Sequence, residues 1–292
     1  MRPGWAGRRG GRHALRKRRR PGPATWAIST ATAAACGILL MTPTASGAVH
    51  LASRLADAAT TLSVRATDAP ATLTDGKAFA GTPAVGALFT ISGSQLGRHF
   101  CSASVVDSTA GDLVITAAHC VATMDPSEIA FVPGYHDGQT PYGIWVTSKV
   151  LADHAWRTSQ NPDHDVAFLV VHKTGASTRI QDVTGGEKLG TGWPARVWVH
   201  VLGYPNATER PITCQGETKP FGAHEMEFDC GGYTDGTSGG PFLARVGSST
   251  GQGTVIGVIG GFEEGGDIAS VSYSPRFGSA VQSLYQTAVA AG

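Results

Sequence analysis

An all-β fold is what this chain of 292 residues predicts, and three observations carry it. From Phe79 onward, short runs rich in Val, Ile, Thr and aromatic residues follow one another, separated by Gly, Pro, Asn and Asp. One of them, Arg196 to Leu202, alternates, with Val197, Val199 and Val201 on one face and Trp198 and His200 on the other. That two-residue period belongs to a half-buried strand. No repeat of fixed period and no heptad pattern competes with it, and strands at intervals of roughly ten residues suggest a β-sandwich or β-barrel.

The N-terminus precedes this texture. Nine basic residues occupy the first 20 positions, and no acid appears before Asp57. An apolar stretch, Ala24 to Thr42, follows, and then Pro43 and the small residues Ser46 and Ala48. Basic, apolar and small segments in that order form a secretory signal, so residues 1–48 are predicted to be a signal peptide cleaved after Ala48. A 19-residue apolar run could just span a bilayer. Its Thr and Ser content and its small-residue exit favour cleavage, so the membrane is met only through this segment during export. Beyond it, 14 Lys and Arg stand against 22 Asp and Glu, a net charge of −8. That balance excludes a nucleic-acid partner, whose phosphates require a basic surface.

Residues 49–78 are rich in Ala and Thr, poor in aromatics and broken by "DAPATLTDGK", and they read as a linker or short prosegment. The expected strands follow in order: "AVGALFTI", "CSASVV", "LVITAA", "GIWVTSKVL", "VAFLVVH", "RVWVHVLG", "GTVIGVIG" and "IASVSY". One helix stands out at the C-terminus. There Val281, Leu284, Tyr285, Ala288 and Val289 recur at helical spacing, Ser279 with Gln282 makes a capping box, and the stripe should dock on the last β layer.

Five cysteines become four once Cys36 leaves with the signal. An even set in an exported chain suggests two disulfides, and the linear order suggests Cys101 with Cys120 and Cys214 with Cys230, one of three connectivities. Zinc would compete for these sulfurs, but no CxxC or HExxH spacing occurs, so neither a metal nor a cofactor is expected. His154, His164, His172, His200 and His224 likewise lack metal spacing and read as packing or surface residues.

Chemistry concentrates in "YTDGTSGGPF", Tyr233 to Phe242. A serine hydroxyl is a poor nucleophile alone and needs a base and an acid to orient that base. Glycines beside Ser238 would let the backbone aim the amides of Gly236 and Ser238 at one point, an oxyanion hole for acyl transfer. Upstream, "LVITAAHC" ends an apolar strand in His119, and "NPDHDVAFLVV" opens another at Asp165, with Asp163 as a rival acid. The order His119, Asp165, Ser238 differs from the Ser, Asp, His of α/β-hydrolases and from the Asp, His, Ser of subtilisins.

These motifs resemble those of the chymotrypsin (trypsin-like) serine peptidases. "TAAHC" matches the family's histidine motif, "DVAFL" is similar to its aspartate motif, and "DGTSGGP" is similar to its serine motif with one change. The resemblance covers Phe79 to Gly292 and includes a Cys101–Cys120 bridge beside the histidine. It implies two antiparallel six-stranded β-barrels, roughly 79–185 and 186–292, with the active site between them. His119 and Asp165 would come from the first and Ser238 from the second. It further implies that Ile259, Gly260 and Gly261, in "VIGGF", bind substrate.

The changed position is Thr237, where zymogen-activated relatives carry an Asp that pairs with a newly released amine. Thr has no charge to offer, and no Arg or Lys followed by Ile-Val-Gly-Gly occurs. An N-terminal ion pair is therefore not expected to order this site, and the resemblance is closer to bacterial secreted members, including the glutamyl-endopeptidase branch. The resulting expectation is a secreted, extracellular, monomeric serine endopeptidase acting on protein or peptide. A catalytically silent β-barrel binding protein and an esterase using the same residues are the alternatives.

Overall fold

The computed structural model describes residues 74–292. The predicted signal peptide, 1–48, and residues 49–73 of the predicted linker lie outside the described residues. Seven strands come first: β1 (Lys77–Ala78), β2 (Val85–Ser92), β3 (Gln95–Val105), β4 (Leu113–Thr116), β5 (Ile129–Pro133), β6 (Trp145–Ala152) and β7 (Ala167–His172). Eight follow: β8 (Lys188–Leu189), β9 (Trp198–Gly203), β10 (Ile212–Glu217), β11 (Lys219–Phe221), β12 (Glu225–Asp229), β13 (Pro241–Ala244), β14 (Thr254–Val258) and β15 (Val271–Pro275). The helices are α1 (Ala118–Val121), α2 (His154–Ser159), α3 (Ile180–Thr184) and α4 (Ser279–Val289).

The first half closes. Strands β2-β3-β4-β7-β6-β5 form a barrel with every neighbour hydrogen-bonded, so it has no free edge. Continuous apolar runs suit this: all four residues of β4 and five of six in β7 are buried. Leu88, Leu113, Ile115, Phe131, Trp145 and Phe168 fill the interior at near-zero exposure.

The second half is barrel-like without a continuous ladder. A six-stranded sheet, β1-β10-β9-β13-β14-β8, packs against a three-stranded one, β11-β12-β15. Single bonds join them, Val258 N–H to Ser274 Oγ at 2.9 Å and Gly260 N–H to the Tyr273 carbonyl at 3.0 Å. The predicted alternation in β9 holds: Val199 and Val201 are fully buried beside Phe228 and Phe242, while Trp198 is 60% exposed.

Three expectations change. Part of the predicted linker belongs to the fold, because Lys77 pairs with Thr213, and the amide and carbonyl exchanges of Thr74 and Gly76 with Gly231 extend that edge. Strands β5, β10, β12 and β13 were absent from the sequence reading, since Pro133, Gly216, the acids of "EMEFD" and Pro241 look like interruptions. Helix α4 begins at Ser279 with Gly278 as its cap and no side-chain capping bond. It docks on the first barrel instead of the last β layer, with Tyr285 against Phe168 (5.8 Å between ring centres) and its hydroxyl bonded to the Asp107 carbonyl at 2.6 Å. The apolar stripe was right; its partner lay across the molecule.

Both expected disulfides are present, Cys101–Cys120 and Cys214–Cys230. Closing loops of 19 and 16 residues, each stabilises by about 3 kcal/mol in the chain-entropy account.

Candidate active site

Register brings the first two groups together. Thr116 at the end of β4 pairs with Ala167 at the start of β7. His119, three residues after Thr116, and Asp165, two before Ala167, therefore sit at the same barrel rim. Asp165 is 0% exposed and fully engaged. Its Oδ1 accepts the His119 backbone N–H at 2.8 Å, and its Oδ2 accepts His119 Nδ1 at 2.7 Å and the Gly261 N–H at 2.9 Å. A buried carboxylate needs such donors to remain charged. Asp163, the rival acid, lies on the 3-10 turn Pro162–His164 and makes no bond to His119 among the described residues.

With Nδ1 as donor to Asp165, the imidazole presents Nε2 as the acceptor. Trp156 flanks the ring at 6.4 Å, and Cys120 Sγ lies 3.6 Å from Nε2. The donor atoms of Cys101, His119 and Cys120 come close to one another, but the two sulfurs form one disulfide, so the cluster offers a metal no thiolate.

The serine loop is tied to the first barrel through Ser102, which the sequence reading missed. This fully buried residue of β3 donates its N–H to the Ser238 carbonyl at 2.7 Å and its hydroxyl to the Gly236 carbonyl at 2.9 Å. The same hydroxyl accepts the Tyr204 N–H at 2.8 Å. Gly236 has φ 95°, and a Cβ there would stand 2.6 Å from both Asn206 N and the Tyr204 carbonyl, so only glycine fits. On this loop the N–H groups of Thr237, Gly239 and Gly240 are all taken by carbonyls. Those of Gly236 and Ser238 have no acceptor among the described residues, which suits an oxyanion hole.

Thr237 is 3% exposed, and its hydroxyl donates to the Thr234 carbonyl at 2.8 Å. A neutral, satisfied side chain packed against Gly203 has nothing to gain from an incoming amine. Ile259–Gly261 closes the cleft. Ile259 exchanges backbone bonds with Gly239 and Gly240, and a Cβ on Gly260 would lie 2.8 Å from Asp165 Oδ2. The three predicted substrate-binding residues spend their N–H groups within the protein, leaving the Gly260 carbonyl as the backbone group without a partner among the described residues.

A cavity of about 610 Å³ opens beside Ser238 and Ile259. Among the described residues, its lining includes Asp235, Glu263, Glu264 and Asp267, and no Lys, Arg or His. Glu263 and Glu264 sit consecutively at φ 50° and 54°. Side chains rarely adopt that region, so the turn stores on the order of 1–3 kcal/mol per residue at the cavity rim.

Comparison with known proteins fits this geometry. Residues 101–258 match the model of the trypsin-like peptidase domain, which is more than half of the chain. Among solved structures, the protease Anisep from Arthrobacter nicotinovorans is 26% identical, with a TM-score of 0.62, over 74% of this chain and 99% of its own. The thermostable serine protease AL20 from an extremophilic microorganism is 25% identical, with a TM-score of 0.61, over 72% and 99%. A Glu endopeptidase at 14% identity shares the fold, with a TM-score of 0.57 over 74% and 97%. No curated protein matches significantly.

Proposed function

Because the chain belongs to the trypsin-like peptidase family and is a serine endopeptidase, we propose that it cleaves peptide bonds through Ser238, His119 and Asp165 by way of an acyl-enzyme. The observation that carries this reading is the dyad of His119 and Asp165. Its 2.7 Å bond leaves Nε2 to take a proton, and the unclaimed amides of Gly236 and Ser238 lie on the nucleophile's loop.

The steps follow from these atoms. Ser238 Oγ attacks the scissile carbonyl as His119 Nε2 accepts its proton, and the Oγ–C bond forms while the carbonyl becomes an oxyanion. The Gly236 and Ser238 N–H groups receive that charge. His119 then returns the proton to the departing amine as the C–N bond breaks. Water, deprotonated by the same imidazole, attacks the ester carbonyl; the C–Oγ bond breaks, His119 returns the proton to Ser238 Oγ, and the acid product leaves. Asp165 holds the tautomer through its bond to Nδ1 and stabilises the imidazolium.

Secretion and action as a monomer complete the proposal. Two disulfides support export, because such bonds persist in oxidising compartments. Fluorophosphonate labelling of the exported chain tests the chemistry. Wild type should label and hydrolyse casein, and Ser238→Ala should do neither. A folded wild type without label would favour the binding-protein alternative, and ester cleavage without casein cleavage would favour the esterase.

A further inference from the structure

Asp165 is not the only buried carboxylate on the Gly260–Phe262 segment. Glu225, at the start of β12, is 5% exposed, and its Oε1 accepts the Phe262 N–H at 2.9 Å. The preceding N–H, that of Gly261, goes to Asp165 Oδ2. Two carboxyl groups from different halves of the molecule thus hold consecutive amides of one segment. The fit is close: a Cβ on Gly261, at φ 86°, would lie 2.6 Å from Glu225 Oε1. This segment carries the Gly260 carbonyl and leads into the Glu263–Glu264 turn at the cavity rim.

We propose that Glu225 is a positioning residue that pins the Gly260–Phe262 segment in the substrate cleft while it is protonated and releases it on ionising. The inference rests on the peptidase reading above. Burial, partly offset by the Phe262 N–H, pushes the Glu225 carboxyl up to about 7, and Asp163 and Asp165 push it the same way. From β15, Tyr273 faces the same cluster of acids. Of the nearby cations, Lys219 of β11 pairs with Glu227 and Asp229, and Arg276 donates Nη2 to the Trp193 carbonyl while its buried Nε has no partner among the described residues. The sign follows. A carboxyl raised in the pinned state relative to a solvated, released state favours pinning below its raised value, and rising pH shifts the population toward release.

The test is the KM for fluorescein-labelled casein between about pH 5.5 and pH 8.5, in wild type, Glu225→Gln and Glu225→Ala. Wild-type KM should rise roughly three- to tenfold as pH passes about 7, a modest population shift. Glu225→Gln keeps an acceptor for Phe262 and cannot ionise, so its KM should stay low and flat. Glu225→Ala loses the acceptor, and its KM should be raised about tenfold at every pH, with kcat keeping the wild-type pH shape. A Glu225→Gln profile identical to wild type overturns the proposal. Should Glu225→Ala fail to fold, the Gln profile decides alone.

Hydrogen exchange of the Gly261 and Phe262 amides, measured in the Ser238→Ala background against intrinsic rates, needs no turnover. Protection should drop from about pH 6 to pH 8 with Glu225 present and hold with Gln. Equal protection in both sinks the clamp while leaving the peptidase reading intact. Casein hydrolysis by Ser238→Ala would instead sink that reading alone.

Discussion

The two halves of the molecule solve different problems. The first closes its ladder and presents His119 and Asp165 from a rim fixed by the β4–β7 register. The second stays open and presents Ser238, the cavity and the cleft segment from loops. Those loops depend on glycines at positive φ, among them Gly232, Gly236, Gly239, Gly261, Gly265 and Gly266, and on two strained glutamates. Loops alone do not hold a reacting atom to a fraction of an ångström. Here the loop conformations are borrowed from the rigid half, through Ser102 on Gly236 and Ser238 and through Asp165 on Gly261.

The largest expected effect tests the rigid half. Asp165→Asn keeps the shape but presents an amide where His119 Nδ1 needs an acceptor, and kcat for casein should fall about ten-thousand-fold. Asp163→Asn, half-buried on the turn and without a bond to His119 among the described residues, should change kcat no more than about threefold. A large loss from Asp163→Asn and a small one from Asp165→Asn would overturn the assignment drawn from the 2.7 Å bond.

Glu187 tests the seam where the halves meet. Glu187 is fully buried between them, its N–H on the Val105 carbonyl and its own carbonyl accepting from Asp107. Its Oε2 accepts the Gly253 N–H, and its Oε1 has no partner among the described residues. Burial, partly offset by that N–H and reinforced by Asp107, pushes this carboxyl up to about 7. Because the folded value is raised, the contribution to stability is full below the ordinary carboxylate range and is lost as pH rises through about 7. The loss amounts to about 3 kcal/mol. Wild-type Tm should therefore drop relative to Glu187→Gln by roughly 5–10 °C between about pH 4.5 and pH 8. Parallel Tm curves would mean that the seam admits water.

Ser102 tests the borrowing itself. Ser102→Ala leaves the Tyr204 N–H and the Gly236 carbonyl unpaired in the interior, a loss of about 2 kcal/mol. If the loop depends on this contact, kcat should drop about thirtyfold as the oxyanion donors lose their aim. A lower Tm with kcat intact would show that the glycine loop holds its own shape.

Legibility in the sequence follows the same division. Strands whose side chains alternate or run wholly apolar could be read, and the short motifs around His119, Asp165 and Ser238 stand out in the sequence by themselves. What could not be read depends on distant partners. Ser102 follows a cysteine in a strand and looks like any small polar residue, yet its partners lie 102 and 134 positions away. Glu225 opens a stretch of alternating acids that reads as solvated surface, and only the fold carries it beneath Phe262. The motif favours Asp165 and leaves Asp163 as a rival two residues away. The strand register, which no local pattern encodes, separates them.

The smallest effect probes the second half at its surface. Among the described residues, four carboxylates and no cation line the cavity beside Ser238, so a substrate side chain entering it meets negative potential. All four are solvent-exposed, which limits each interaction to a few tenths of a kcal/mol. Summed over the rim, this discriminates by about tenfold in kcat/KM between otherwise matched peptides carrying Lys or Glu before the scissile bond, in favour of Lys. The preference should shrink toward unity in about 0.5 M salt, where exposed charges are screened over a few ångströms. Preference for Glu at low salt would mean that the acids point away from the bound side chain. The pocket's selectivity would then have to come from its shape, set by Tyr233, Ile259 and the strained turn.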